Sequence, residues 1–134
     1  MQYMILFNET ARDFALRSDP ARAPAHMGAW AAYIDAMAKA GISVHGNGLM
    51  PPETGTIVRV RDGVRSLQDG ALQDGALQDG AVQDGPYADS KEQVGGYFIL
   101  EVPDLDTALE WAARSPSASY ASTEVRPVMP PMPQ

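Results

Sequence analysis

Residues 94–116 read VGGYFILEVPDLDTALEWAARSP and combine the clearest strand signal of the chain with a helix signal. Val94–Val102 is rich in β-branched, aromatic and other apolar residues, which is typical of a strand. Pro103-Asp104 then opens a helix, and Ser115-Pro116 ends it. The apolar face of that helix consists of Leu105, Ala108, Leu109 and Ala112. We therefore predict a strand followed directly by an amphipathic helix.

A similar strand and helix are predicted at the beginning of the sequence. Met1–Phe7 is an apolar run whose length suits a buried strand. Over Pro24–Ala40 the apolar side chains recur with helical spacing, and Gly41 follows as the C-terminal cap. The predicted apolar face of this helix consists of Met27, Trp30, Ile34 and Met37. The intervening segment, Asn8–Arg22, is polar and is predicted to be loop-like.

The remaining strands are predicted from alternation and from turn signals. Ile42–Leu49 can form a strand after the first helix. Thr56–Arg61 alternates apolar and charged residues, as half-exposed antiparallel strands do, and Asp62-Gly63 indicates a hairpin into Val64–Leu67. Thr123–Met129 supplies the last strand.

This element order predicts an α+β fold of the ferredoxin-like type. Strands and helices follow one another as β–α–β–β(–β)–β–α–β, which suits one antiparallel sheet with two helices on one face. The opposite face of such a sheet needs a cover. A second copy of the chain can provide it, so we predict a homodimer.

Composition limits the classes of protein that this chain can represent. The length of 134 residues fits one domain, and the absence of cysteine excludes disulfides and thiolate chemistry. A net charge of −7 opposes binding to nucleic-acid phosphates. The apolar run Met1–Phe7 is too short for a signal peptide or a membrane span. We expect a cytoplasmic protein that binds neither nucleic acid nor membrane.

A five-residue repeat interrupts the sequence. LQDGA occurs three times over residues 67–81, and VQDGP follows over residues 82–86. A period of five fits neither a strand face nor a helix face, and Asp-Gly favours a turn in each unit. A pentapeptide solenoid needs more coils than these copies provide, and the aspartates are too sparse for a calcium loop. We interpret residues 67–81 as an insertion in a surface connection of a single domain, residues 1–134.

A long motif follows the repeat and resembles a known family. Asp84-Gly85-Pro86-Tyr87 and the stretch KEQVGGY at Lys91–Tyr97 are similar to the DGPF-domain branch of the YCII-related family, with Tyr87 where Phe is usual. The resemblance covers nearly the whole chain except the extra LQDGA units. It implies a dimeric α+β barrel in which two ferredoxin-like protomers join through their sheets. It also implies a suspected enzyme with a His–Asp pair in a dimer-side cleft, often encoded beside an extracytoplasmic-function sigma factor.

His26 is the best candidate for a catalytic residue. It lies beside Tyr33 on one flank of the predicted apolar stripe, so both polar tips could line a cleft between helix and sheet. A histidine there can transfer protons near neutral pH. Asp84 is the candidate partner that would orient the imidazole, although Asp-Gly-Pro is also a turn signal. The alternative for His26 is an ordinary hydrogen-bonded histidine at the helix edge.

Other residues are candidates for contacts with a ligand. Tyr33, Lys91 and Tyr97 are predicted ligand-binding residues, with a solvated charged pair as the alternative for Lys91 and its neighbour Glu92. Gly95-Gly96 favours a bulge or a close backbone approach. His45 with His26 makes a weak metal pair without acidic partners, so we predict neither a metal nor a cofactor.

Three functional hypotheses follow from the sequence. The first is a small-molecule enzyme that uses His26 as an acid or base in an apolar cleft. The second is a non-catalytic ligand-binding or accessory protein linked to a sigma-factor response. The third is a dimer whose cleft is only structural.

Overall fold

The computed structural model describes residues 1–69 and 91–133. The strands in these ranges are β1 Gln2–Glu9, β2 Ser43–Gly48, β3 Thr56–Arg61, β4 Val64–Asp69, β5 Gln93–Glu101 and β6 Ser122–Pro127. The helices in these ranges are α1 Ala11–Ala15, α2 Ala23–Lys39, α3 Leu105–Ala113 and α4 Pro116–Tyr120. Short 3₁₀ turns cover Leu16–Ser18 and Pro52–Thr54. The repeat insertion predicted at residues 67–81 lies outside the described residues from position 70 onward.

The main sheet has the strand order β2-β5-β1-β6, and each neighbouring pair is antiparallel. Two β–α–β units interleave in this order, because β1 and β5 occupy the centre while β2 and β6 form the edges. This is the ferredoxin-like arrangement. The predicted α+β fold class is confirmed.

Both long helices pack against the same face of this sheet. Alternate residues of β1 point to opposite sides, and Tyr3, Ile5 and Phe7 are buried while Met4 and Leu6 are only half-buried. The buried side chains form one core cluster with helix residues that include Tyr33, Met37, Ala108 and Ala112. The opposite face of the sheet carries Met4 and Leu6. Within the described chain, the helix residues of this core cluster do not lie on that face.

The buried face of α2 differs from the predicted one. Tyr33 and Met37 are buried, whereas Met27 and Ile34 are 49% and 39% exposed. The stripe that meets the sheet runs through Trp30, Tyr33 and Met37, at i, i+3 and i+7. The predicted face was chosen from apolar residue types alone, which left Tyr33 on its flank. The observed buried face is therefore shifted by about one residue from the predicted one.

The segment after β1 is a helix rather than a loop over Ala11–Ala15, so the loop-like prediction was wrong there. A capping box starts this helix: the Asp13 amide donates to Thr10 Oγ1 at 3.3 Å, and the Thr10 amide donates to Asp13 Oδ2 at 2.9 Å. β1 also continues two residues beyond Phe7, to Glu9. This turn of the chain places Arg17 beside the end of β1.

The predicted hairpin is confirmed, and it stands apart from the main sheet. β3 and β4 form their own two-stranded sheet with Val58 opposite Leu67. Asp62 and Gly63 both have positive φ, 53° and 74°, which is the backbone of a type I′ turn. β4 runs to Asp69, slightly beyond the predicted end.

The C-terminal elements match the predictions only in part: α3 buries Ala108 and Ala112, but Leu105 and Leu109 of its predicted apolar face are 45% and 46% exposed. Asp104 caps α3 by accepting from the Thr107 amide at 2.8 Å, as its predicted role requires. Pro116, predicted to stop the helix, also begins the short helix α4, because proline is tolerated in the first turn. β6 ends at Pro127, before the predicted Met129. Within the described ranges, no helix has the length and apolarity that a membrane crossing requires.

Candidate functional site

A cavity of about 240 Å³ lies between α2 and the ends of the central strands. Its apolar wall is formed by Phe7, Met27, Trp30, Ile34 and Phe98. Its polar side chains are those of Glu9, Arg17 and His26, and Asn47 of β2 also lies at its edge. Glycines Gly48, Gly95 and Gly96 complete it where the strands come together. One side of the cavity is therefore suited to an apolar body and the other to a polar group.

Glu9 is a buried carboxylate at the polar end of this cavity. It continues the alternation of Tyr3, Ile5 and Phe7, so the register of β1 directs it toward the helices. Only 3% of Glu9 is exposed. Its Oε1 atom lies 3.3 Å from Nη2 of Arg17, while its Oε2 atom has no hydrogen-bond partner within the described residues. Buried polar atoms usually have at least one hydrogen-bond partner, so the unpartnered Oε2 atom stands out.

Arg17 holds the end of the sheet together. Its Nη1 group donates to the Leu49 carbonyl, and its Nη2 group donates to the Gly95 carbonyl at 3.1 Å as well as facing Glu9. One guanidinium thus joins β1, β5 and the segment after β2, using its fork of donors.

Gly95 is required at this position by the same cluster. The pairing of β1 with β5 shifts between Phe7, opposite Gly96, and Asn8, opposite Val94, so Gly95 is the extra residue of a β-bulge. A Cβ atom on Gly95 would lie 2.6 Å from Glu9 Oε1 and 3.1 Å from Arg17 Nη2. The predicted bulge and close approach are confirmed, and the bulge makes room for the buried ion pair.

His26 lines the cavity from the first turns of α2. Its Nε2 atom is buried and has no hydrogen-bond partner among the described residues. Its ring faces Tyr120 of α4, with centroids 5.8 Å apart. The candidate catalytic histidine therefore lines the cavity and has one ring nitrogen that no described residue engages.

Tyr120 and Trp30 support the same wall. The Trp30 Nε1–H group donates to Tyr120 Oη at 3.2 Å, and the Trp30 ring contacts Phe7 edge-to-face at 4.7 Å. Burial raises the pKa of Tyr120 above its ordinary value, and the negative charge of Glu9 raises it further, while the Trp30 bond lowers it. Tyr120 is therefore a neutral phenol at physiological pH.

Both of the predicted ligand-binding tyrosines lie away from the cavity. Tyr33 is buried in the core, where its hydroxyl donates to the Trp111 carbonyl at 2.8 Å, and burial raises its pKa. Tyr97 precedes the core-facing Phe98 on β5. Because side chains alternate along a strand, Tyr97 points to the other face of the sheet. There its hydroxyl lies 2.7 Å from His45 Nε2 and 3.3 Å from Asn47 Nδ2. Neither tyrosine lines the cavity.

Of the two charged candidates, only Lys91 is among the described residues. Lys91 precedes β5, is half-buried, and is not among the residues that line the cavity. Asp84 lies outside the described residues, so its predicted pairing with His26 stays a prediction. Within residues 1–69 and 91–133, no three His, Asp or Glu side chains group as metal ligands would.

Sequence reasoning missed three members of the site: Glu9, Arg17 and Tyr120. Glu9 could have been found by extending the alternation of β1 two residues past Phe7. The capping pair Thr10 and Asp13 indicates the start of α1, but it does not predict which groups the Arg17 side chain contacts. No local signal identifies Tyr120, because its position depends on tertiary packing.

Comparison with known proteins assigns the chain to a family. A family model for the YCII-related domain matches residues 1–131. A search of curated proteins gave no significant match. The match spans almost the entire chain, and the antiparallel α+β sheet agrees with it. The protein therefore belongs to the YCII-related domain family.

Proposed function

We propose that the protein binds a small molecule in the 240 Å³ cavity and transfers a proton to or from it through His26. The observation that carries this proposal is the buried, unpaired Nε2 atom of His26 in the cavity wall. An imidazole nitrogen that has no protein partner in the described chain can accept or donate a proton at a bound ligand. The apolar wall would exclude water from the reacting group.

Glu9 is the second group that can act on the same ligand. It lines the same cavity as His26, and neither Glu9 Oε2 nor His26 Nε2 has a partner among the described residues. A molecule between them can contact both the carboxylate and the imidazole. Pairs of titratable groups in one pocket are the usual arrangement for acid–base chemistry.

The second candidate function is ligand binding without turnover. It is favoured because the carboxylate that shares the cavity, Glu9, does not orient the His26 ring. Glu9 is engaged with Arg17 instead. In this alternative the chain is a binding or accessory protein of a sigma-factor response. The support for that link and for the DGPF branch is the motif DGPY at Asp84–Tyr87, which resembles DGPF.

A proton-exchange experiment separates the two candidates. Fragments that bind the protein and carry an acidic C–H bond are incubated with it in D₂O, and loss of that proton is followed by NMR. Catalysis predicts exchange that His26→Gln slows by about 10²-fold or more. His45→Gln is the matched control and should leave the rate unchanged, because His45 bonds Tyr97 on the other face. Binding without any accelerated exchange would contradict the enzymatic proposal.

We also propose that the chain forms a homodimer through the open face of its sheet. Support comes from Met4, Leu6 and Ile99, which are half-buried apolar side chains on a face that the core helices do not cover. Ile99→Asp should yield a monomer in light-scattering chromatography, with Leu109→Asp on the exposed side of α3 as control. A wild-type monomer at micromolar concentration would contradict this proposal.

A further inference from the structure

The unpaired oxygen of Glu9 indicates what kind of ligand the cavity takes. A buried acceptor without a donor costs about 1–3 kcal/mol, and more when it is charged. Only 3% of Glu9 is exposed, and the residue lines the cavity. Its Oε2 atom has no partner in the described chain. A ligand that brings an N–H or O–H group to this atom would remove that cost.

Arg17 sets the charge of the polar end. Its guanidinium faces Glu9 Oε1 at 3.3 Å, so the pair is close to neutral as a unit. Both of its Nη groups are engaged by backbone carbonyls, those of Leu49 and Gly95. Arg17 therefore serves as a clamp on the strands rather than as a free anion receptor. An anionic head group beside Glu9 would place two like charges together next to an apolar wall.

The volume and the wall limit the size of the ligand. The cavity of about 240 Å³ exceeds the roughly 150 Å³ that accommodates benzene and falls below the roughly 300 Å³ at which drug-sized pockets begin. Three aromatic side chains, Phe7, Trp30 and Phe98, form much of the wall. These dimensions fit a single substituted ring.

We infer that the cavity selects a neutral, single-ring molecule whose polar head donates a hydrogen bond to Glu9, and that it rejects carboxylates. This inference rests on the proposed function, since it assumes that the cavity is a ligand site. Beyond the proposed function, this inference names the class of ligand and the residue that selects it. Neither can be inferred from the role proposed for His26. Selection is assigned to Glu9, with Arg17 as the group that keeps the carboxylate in place.

Three matched probes test the inference: benzyl alcohol, benzoate and protonated benzylamine. Their dissociation constants are measured at pH 7 by NMR titration of the full chain. Benzyl alcohol should bind tightest, with benzoate weaker by about tenfold, or 1.4 kcal/mol. Glu9→Gln should narrow the gap between alcohol and benzoate to below about threefold, because the amide carries no charge. Asp35→Asn, an exposed carboxylate paired with Lys39, is the control and should leave the gap unchanged.

Each other outcome is decisive. Tighter binding of benzoate would make Arg17 the recognition group and overturn the inference, as would tighter binding of benzylamine. Equal binding of the three probes would overturn selection by Glu9 while leaving a ligand cavity in place. Binding of none of them would overturn both the inference and the proposed function. If Glu9→Gln does not fold, the wild-type ratio of alcohol to benzoate decides alone.

Discussion

The chain contains two histidines, and their surroundings are opposite. His45, on the open face of the sheet, is exposed, and its Nε2 atom lies 2.7 Å from Tyr97 Oη. His26, on the helix-covered side, has a buried Nε2 atom that meets no partner in the described chain. His45 Nε2 thus has a partner within the described chain, whereas His26 Nε2 lacks one, and this difference is why the proposed ligand site is at His26.

The difference extends to the two faces of the sheet. The helix-covered face holds the core, the ion pair of Glu9 with Arg17, and the cavity. The open face holds half-buried apolar side chains beside polar clusters such as Asn8 with Ser122, whose side chains bond at 3.1 Å. The first face thus supports fold stability and a ligand site, and the second suits contact with another chain. The following predictions test this division.

The largest effect is expected from truncating the core. Met37 is fully buried, so Met37→Ala should lower the free energy of unfolding by about 2–5 kcal/mol in urea denaturation. Met50→Ala removes the same atoms from a side chain that is 73% exposed and should cost less than about half as much. An equal or larger loss for Met50→Ala would contradict the placement of Met37 in the core.

A somewhat smaller effect is expected at the bulge. Gly95→Ala should cost about 1–3 kcal/mol, because its Cβ atom would lie 2.6 Å from Glu9 Oε1. Gly28→Ala is the matched control: nothing lies within 4 Å of its Cβ position in α2, so it should stabilise by about 0.5–1 kcal/mol. Thermal unfolding of both variants gives the comparison. Stabilisation by Gly95→Ala would contradict the packing of the ion pair.

A still smaller effect is expected from the phenol that supports the cavity. Tyr120→Phe leaves Trp30 Nε1 without its acceptor and should cost about 1 kcal/mol. It should also change the fluorescence of the folded protein, because Trp30 lies in the cavity wall. Tyr97→Phe, which removes an exposed bond on the other face, is the control and should have the weaker effect. Equal losses would contradict a special role for the Trp30–Tyr120 bond.

The pH dependence gives the subtlest test. Burial raises the pKa of Tyr33 and Tyr120 in the folded chain above the ordinary value of 10. Their contribution to stability is therefore complete below pH 10 and is lost as the pH rises toward their folded-state pKa. In absorbance titrations at 295 nm, Tyr33→Phe and Tyr120→Phe should match the wild type until alkaline unfolding begins. Loss of a phenolate signal near pH 10 in either variant would contradict the burial.

The sequence predicted the fold well because the fold follows from local patterns. The alternation of TIVRVR, the run VGGYFILEV and the Asp62-Gly63 turn each correspond to an observed element. The predicted apolar face of α2 was wrong by one position. Tyr33 was counted as a polar residue, but it is buried and its hydroxyl donates to the Trp111 carbonyl. Tyrosine and tryptophan bury their rings while a polar atom finds a hydrogen-bond partner. A prediction that counts only apolar residues therefore misplaces them.

The site was less predictable, since it combines residues that are distant in sequence. His26 was identified from its residue type and its place on α2, and it does line the cavity. Arg17 reaches the Gly95 carbonyl across 78 positions, and Trp30 reaches Tyr120 across 90. Such contacts depend on where individual side chains reach once the elements have packed, which no local pattern encodes.

The most direct test of the ligand site uses the two histidines as paired reporters. The imidazole resonances of ¹⁵N-histidine-labelled protein are assigned with His26→Gln and His45→Gln, and benzyl alcohol is then titrated in. We expect a saturable shift of the His26 resonances, while those of His45 stay in place. No shift at His26 at saturating probe, or equal shifts at both rings, would contradict a ligand site at His26.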